Sequence, residues 1–473
     1  MSWNFDRKSW AKENFGDCQL GDKRRTKRLI QVAEKAVNNP SGSFPEQMES
    51  LAELKGAYRL FNNKHVTFEG IARPHWELTR QRNSGRYLVI CDTTELDFGI
   101  HRQIDGLGPT GNGFGRGFLL HNALMVNAQN DAIIGIAGQT IHYRKKKQKR
   151  RQKESRRQRL ERDRESQVWG KVIDDVGPPN GDAEYVYVCD RGADNFEVFC
   201  RLQQQQHSEW VIRAKAKNRK ILTPEGEETT LGEHLSGLSL RGVYELELRA
   251  RKNQPARTAK LEVLSGQLQM PVPQHKSPYI KSLDPEPIAM NVVWVREVDA
   301  PADADPIEWI LYTSLPVDTF EQCWVVIEYY ETRWLVEEYH KALKSGCRVT
   351  SRQLKDAGRL EAAVGLLSVV ALCLLQLKSL ARSEPNRPAR SVVPTLWLQM
   401  LKAARPRLRR VHDLTIAEFY REVAKLGGFL GRKSDGAPGW ITIWRGWEKL
   451  STLVRGAELA IQLKLQPTLK KCG

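Results

Sequence analysis

Residues 85–92 read GRYLVICD and residues 183–190 read AEYVYVCD. Each is a short run rich in aromatic and β-branched residues, followed by Cys and then Asp. Runs of that length and composition favour extended strands. The pattern places Asp92 and Asp190 where their strands end. If the two strands are parallel neighbours, the two carboxylates stand side by side at the carboxyl edge of a sheet. Open α/β sheets gather their ligands at that edge. A strand-end Asp taken singly is also a common turn former.

The neighbouring segments set the strand order. GFLLHNALMVN (117–127) and AIIGIAGQTIHY (132–143) read as strands, and the turn-rich AQND between them reads as a hairpin. GADNFEVFCRLQQQQ (192–206) reads as a helix and EWVIRA (209–214) as a strand. The order is strand, strand, strand, helix, strand, helix, strand. It matches a ribonuclease-H-like fold, a mixed sheet with helices on both faces, in which the first and fourth strands are parallel neighbours. Parallel neighbours need a crossover, which the charged segment 144–164 and ESQVWGKVIDDV (165–176) supply.

The flanks differ in character. Residues 1–70 read as a small helical unit in which Arg24, Arg25, Lys27 and Arg28 cluster. That cluster reads as a DNA-binding face or as a solvated helix face. Residues 71–370 hold the sheet, with a β-rich insertion at about 214–306. IEWILYTSLPV (307–317) then returns to the main sheet. Residues 371–473 read as a separate helical domain.

Composition narrows the partners. There are 74 basic and 56 acidic residues, a formal charge of +18, which favours a polyanion such as DNA, RNA or an acidic membrane surface. Segment 144–164 alone holds 13 bases and 3 acids. Its interleaved Glu154, Glu161 and Asp163 favour a solvated helix over a phosphate-binding arm. The N-terminus has no apolar run and reads as having no signal peptide. The longest apolar stretch, AAVGLLSVVALCLL (362–375), has 14 residues. A membrane span takes about 20, so a buried helix is expected. Eight scattered cysteines without a CxxC pair fit a reduced, cytosolic protein.

One helix remains, YYETRWLVEEYHKALK (329–344). At about 100° per residue, Tyr330, Arg333, Glu337, Lys341 and Lys344 fall within roughly 80° of one another. Leu335, Val336, Tyr339, Ala342 and Leu343 occupy the opposite face. The plain reading is a solvated stripe with an Arg333–Glu337 ion pair. With Asp92 and Asp190 nearby, Glu337 becomes a third carboxylate. Such hard oxygen donors select Mg²⁺ or Mn²⁺. Two ions about 3.5–4 Å apart serve in-line phosphoryl displacement.

The same residues carry a family likeness. Tyr330, Arg333, Glu337 and Lys344 complete a Y-x2-R-x3-E-x6-K signature, and CDTT at Asp92 and CDR at Asp190 match the two Asp motifs that go with it. RGFLLHNALMV (116–126), KNQPARTAKLEVLSG (252–266), LGDKRRTKRL (20–29) and LGGFLGRKSDGAPGWITIWRGWEKL (426–450) extend the match along the chain. The chain resembles the DDE transposases of the insertion-sequence-four family, most closely the transposon-five type.

That resemblance implies cut-and-paste DNA transposition by metal-dependent cleavage and strand transfer, through a hairpin intermediate. It implies Asp92, Asp190 and Glu337 as catalytic metal ligands for two Mg²⁺ ions, with Mn²⁺ as a substitute. Tyr330, Arg333, Lys344, Trp309, Arg213, His340, Lys341, Arg24, Arg25 and Arg28 become the DNA contacts, and Trp309 would stack on a base turned out of the duplex. The partners are transposon-end and target DNA and a second copy of the chain, in the bacterial cytoplasm at the nucleoid. Two rival readings are a catalytically silent DNA-binding inhibitor and a structure-specific nuclease on the same fold.

Overall fold

Strand β1 (Ser84–Asp97) is hydrogen-bonded on both sides and buried through most of its length. Its alternation explains the unbroken apolar run of its sequence. Leu88 and Ile90 enter the core on one face of the sheet, and Tyr87, Val89 and Cys91 enter the core on the other. The structure is a computed structural model and describes residues 6–99, 104–145, 155, 164–248, 255–302, 304–432 and 435–463. The helix expected within 144–164 falls on 146–154 and 156–163, outside the described residues.

After β1 come β2 (Gly108–Thr110), β3 (Gly115–Asn127), β4 (Ile133–His142), β5 (Asp182–Cys189) and β6 (Ser208–Arg213). The insertion supplies β7 (Lys220–Leu222), β8 (Glu228–Thr230), β9 (Ser239–Leu248), β10 (Arg257–Met270) and β11 (Ile288–Val298), and β12 (Glu308–Thr313) follows it. All twelve form one sheet in the order β2-β3-β1-β5-β6-β12-β11-β10-β7-β8, with β4 on β3 and β9 on β10. The pairs β1–β5 and β5–β6 are parallel. This is the ribonuclease-H-like order expected from the sequence, with the crossover ending in a helix at Val168–Val176.

Two expectations need correction. β2 is an additional short strand pairing with the start of β3. The insertion continues the main sheet, because β11 pairs with β12. Asp92 does not end its strand. β1 continues to Asp97 because β3 stays paired with it as far as Gly117. Only the parallel ladder stops, at Cys91–Cys189, where the Asp190 carboxylate accepts from Gly192 N at 2.7 Å and turns the chain.

The helices are α1 (Arg7–Phe15), α2 (Lys23–Asn38), α3 (Phe44–Gln47), α4 (Leu51–Phe61), α5 (Phe68–Arg80), α6 (Val168–Val176), α7 (Phe196–Gln204), α8 (Leu231–Leu235), α9 (Pro278–Leu283), α10 (Phe320–Thr332), α11 (Trp334–Lys341), α12 (Ala357–Ser383), α13 (Thr395–Ala404), α14 (Ile416–Leu426) and α15 (Trp440–Gln462). In α2, Asp22 caps the first turn, and Leu29, Val32, Ala33, Ala36 and Val37 bury one face at helical spacing.

α12 is the central element. It starts at an Asp356 cap and is apolar on nearly all sides. It packs on α2, α4 and α5, on β4, on α11 and on α14. The expected 14-residue apolar run is thus the middle of a 27-residue helix. By length and composition that helix could cross a membrane, but 89 % of its apolar window is buried in this protein. It also passes unbroken through residue 370, where the sequence reading divides two domains. The physical reason is a shared core, in which residues from Trp10 to Val454 form one apolar cluster.

Candidate active site

The site grows from the β1–β5 ladder. Cys91 is the register partner of Cys189, so the next residues, Asp92 and Asp190, emerge on adjacent strands at the end of the parallel ladder. The Asp92 carboxyl group is pushed up to about 7, first by burial and then by the charge of Asp190. Arg333 opposes that shift, with its Nη1 2.7 Å from Asp92 Oδ2. The same Nη1 lies 3.8 Å from Glu337 Oε1. Burial works against the Arg333 charge, and Asp92, Tyr330, Asp190 and Glu337 more than offset it, which holds the guanidinium above its usual range.

The segment expected as one helix from 329 to 344 is three pieces. α10 ends at Thr332 and α11 begins at Trp334. Arg333 N donates to Tyr330 O and Val336 N to Arg333 O, the tighter spacing of a 3₁₀ turn. A π-type turn over Ala342–Gly346 follows, closed by Cys347 N on Ala342 O. The stripe is therefore bent twice. The apolar face survives, with Val336, Tyr339, Ala342 and Leu343 buried, and Glu337 and Lys344 stay together in a cavity of about 280 Å³. Thr93, Thr94, Glu95, His340, Lys341 and Ser345 complete its lining.

Two members of the expected DNA-contact set are buried. His340 is 6 % exposed, and its Nε2 accepts from Asn122 Nδ2 at 3.0 Å. Burial, with Lys344 and Arg333 nearby, holds its imidazole down to about 3, so it is neutral. Tyr330, also 6 % exposed, packs edge-on against Trp309 with ring centroids 5.7 Å apart. The Arg213 and Arg333 guanidinium carbons lie 6.0 and 5.8 Å from the Tyr330 centroid. Tyr330 thus props Trp309, Arg213 and Arg333 from beneath. Trp309 is half-buried. Arg213 also donates to Glu308 O at 3.1 Å. Lys341 is exposed, with its ammonium 4.9 Å from the Trp334 ring centre.

The N-terminal bases divide in the same way. Arg24 is exposed, and among the described residues its guanidinium bonds its neighbour Asp22, at 2.8 Å. Arg25 donates to Leu20 O at 2.6 Å, and the Arg28 guanidinium lies against Gly56 of α4. No acid stands in the first turn of α2, which instead begins Lys-Arg-Arg against the helix macrodipole.

Some positioning residues were missed by the sequence reading. Asn122 is the register partner of Asp92. Its side chain joins His340 to Gln139, whose amide nitrogen donates to Asn122 Oδ1 at 2.6 Å. Gln139 in turn accepts from Trp76 Nε1 at 3.3 Å. His121 Nδ1 lies 2.7 Å from Thr93 Oγ1, and its ring packs edge-on against Trp169. The available signal was the polar pair His121-Asn122 inside an otherwise apolar strand.

Among the described residues, no three His, Cys, Asp or Glu side chains are gathered closely enough to hold a metal ion as they stand. The donor set still fits a hard divalent cation. Asp92, Asp190 and Glu337 interact electrostatically, with the Arg333 guanidinium and, at Glu337, the Lys344 ammonium offsetting part of their charge.

Three family models match the chain. One described as Transposase DNA-binding matches residues 7–66, one described as Transposase DDE domain matches residues 161–374, and one described as Transposase Tn5 dimerisation domain matches residues 369–464. The second span contains Asp190 and Glu337. Asp92 lies ahead of it and is joined to the pair by the sheet.

Proposed function

Because the chain belongs to the DDE transposases of the transposon-five type, we propose that it moves DNA by cutting and rejoining with Asp92, Asp190 and Glu337 as its catalytic carboxylates. The observation that carries this reading is the parallel register Cys91–Cys189, which brings the two Asp together beneath Arg333 and Glu337. The matched DNA-binding and dimerisation units support a homodimer that holds terminal inverted repeats. Its place of action is then the bacterial cytoplasm, where the DNA lies.

Asp92, Asp190 and Glu337 would hold divalent cations, Mg²⁺ or Mn²⁺, whose chemistry when bound is to activate the attacking oxygen and offset charge at phosphorus. The chain's own groups do the rest. Arg333 is a planar fork held between two of the carboxylates, suited to a phosphate that enters there. Lys344 and Lys341 line the same cavity as point charges. His340 is neutral and buried, so it orients α11 through Asn122 and carries no phosphate. Trp309, propped by Tyr330, offers a ring face for an extruded base, which would relieve strain in a hairpin.

The test is incubation of the full chain with end-containing DNA and Mg²⁺. Excision with integration supports the proposal. Binding alone, or cutting without joining, would overturn it in favour of an inhibitor or a nuclease.

A further inference from the structure

The β2–β3 hairpin carries GPTGNGFGRG (108–117). Its strands pair from Gly108–Gly117 to Thr110–Gly115, and residues 111–114 form the tip. Gly113 closes the turn by donating to Thr110 O at 2.8 Å, with φ +104° and open space on its Cβ side. At the base, a Cβ on Gly117 would come within 1.8 Å of Leu96 O, so β1 and β3 approach there as only glycine allows. Glycine at alternate positions leaves Phe114 as the one large side chain at the tip. It is 74 % exposed, the highest value among the large hydrophobic side chains in the described residues.

The tip is tied to the catalytic groove. Gly111 N donates to Glu95 Oε1 at 2.7 Å, and the other Glu95 oxygen pairs with Arg144 at 2.5 Å. Glu95 lines the cavity that contains Glu337 and Lys344. By register, Asp92 lies opposite Asn122, and Gly115 is seven residues nearer the tip. Phe114, eight residues from that level, therefore projects about 26 Å beyond Asp92 along the carboxyl side of the sheet. That is the length of about eight base pairs at about 3.4 Å each.

Phe114 is a nearly naked aromatic side chain at this distance, and no ring packs on it among the described residues. Apolar wedges on short turns enter base steps and kink a duplex, and stacking on a base recovers the ring's contact area. We propose that Phe114 is a DNA wedge, inserting at a base step of the duplex that runs out of the catalytic groove, about eight base pairs from the phosphate held there. This rests on the reading that the groove of Asp92, Asp190 and Glu337 cuts DNA. The duplex could be transposon end, flanking donor DNA or target DNA, since all three present the same stacked bases.

The experiment uses the full chain and duplexes with 2-aminopurine at single positions. One duplex series spans the end and its flank without divalent ion. A second series is target DNA offered with pre-cut ends. The wild-type chain and Phe114→Trp should each change the fluorescence at one step about eight base pairs from the junction. Phe114→Ala should abolish that change at an unaltered melting temperature, and product formation should fall on the order of tenfold. A signal in the end, the flank or the target identifies the source. A fluorescence pattern identical in wild type and Phe114→Ala would overturn the wedge, as would a loss of product that Phe114→Trp does not restore. Asp92→Ala tests the groove separately: if that variant still cuts, the groove reading fails, whereas the fluorescence readout depends on binding alone.

Discussion

Arg333 Nη1 lies 2.7 Å from Asp92 Oδ2 and 3.8 Å from Glu337 Oε1, so a single guanidinium bridges a strand carboxylate and a helix carboxylate. The contact ties the break between α10 and α11 to the middle of the sheet. Arg333→Lys keeps the charge but loses the planar fork. Cleavage should fall by tenfold or more, on the order of the 1.5–3 kcal/mol of a charged hydrogen bond, while end binding measured by filter retention stays close to wild type.

Asp92→Ala, Asp190→Ala and Glu337→Ala should each abolish cleavage and strand transfer and leave end binding largely intact, because binding rests on phosphate contacts spread elsewhere. Removing one carboxylate also eases repulsion among those left, so the melting temperature should not fall. Cutting at near wild-type rate by any of the three would remove that residue from the catalytic set.

The N-terminal bases should separate by salt dependence. Arg24 is exposed and pairs with Asp22 at the surface, where a phosphate can replace the carboxylate, so Arg24→Ala should reduce the slope of log K against log salt by about 0.9 with little change in the melting temperature. Arg25→Ala removes the bond to Leu20 O, and should cost about 1 kcal/mol of stability, read by thermal melting. Deleting 144–164 should leave the slope unchanged if that segment is solvated, and lower its magnitude if it touches DNA.

Acid should weaken the junction of α5 with the sheet. His75 Nδ1 lies 2.6 Å from Asn14 Oδ1, and its Nε2 accepts from Ile136 N at 3.1 Å. Burial holds its folded imidazole down to about 3, against an ordinary 6.5. Below pH 6.5 the unfolded chain therefore takes up a proton that the folded chain refuses. Stability is fully present above that pH and is lost as pH falls toward 3, by about 1.4 kcal/mol per pH unit. His121 and His340 shift in the same direction. His75→Gln should make urea midpoints between pH 7.5 and 5 less pH-dependent without abolishing the effect. An unchanged dependence would show that His75 is not the titrating group.

Trp309→Ala should spare the first nick and slow hairpin formation. An abasic nucleotide at the extruded position should partly rescue it. Trp309 is only half-buried, so the melting temperature should drop little. A sharp drop with both steps equally weakened would make it a packing residue.

Much of this was legible in the chain itself. The paired runs GRYLVICD and AEYVYVCD, the hairpin between them and the Y-R-E-K spacing carried the strand order, the Asp pair and Glu337. Periodicity and residue type are local properties, and a strand buried on both faces writes them plainly. Other features came only from the folded chain. The bend at Arg333 arises where tertiary contact with Asp92 coincides with a tightened turn, and helical angles summed along the sequence cannot register it. The burial of Tyr330 and His340 depends on β3, β12 and Asn122, all distant in sequence. The insertion joined the main sheet because β11 found β12. α12 runs through residue 370, and its apolar sides are covered by helices from both ends of the chain. Sequence determined which residues could do the chemistry; long-range packing decided which of them face the groove and which hold it in place.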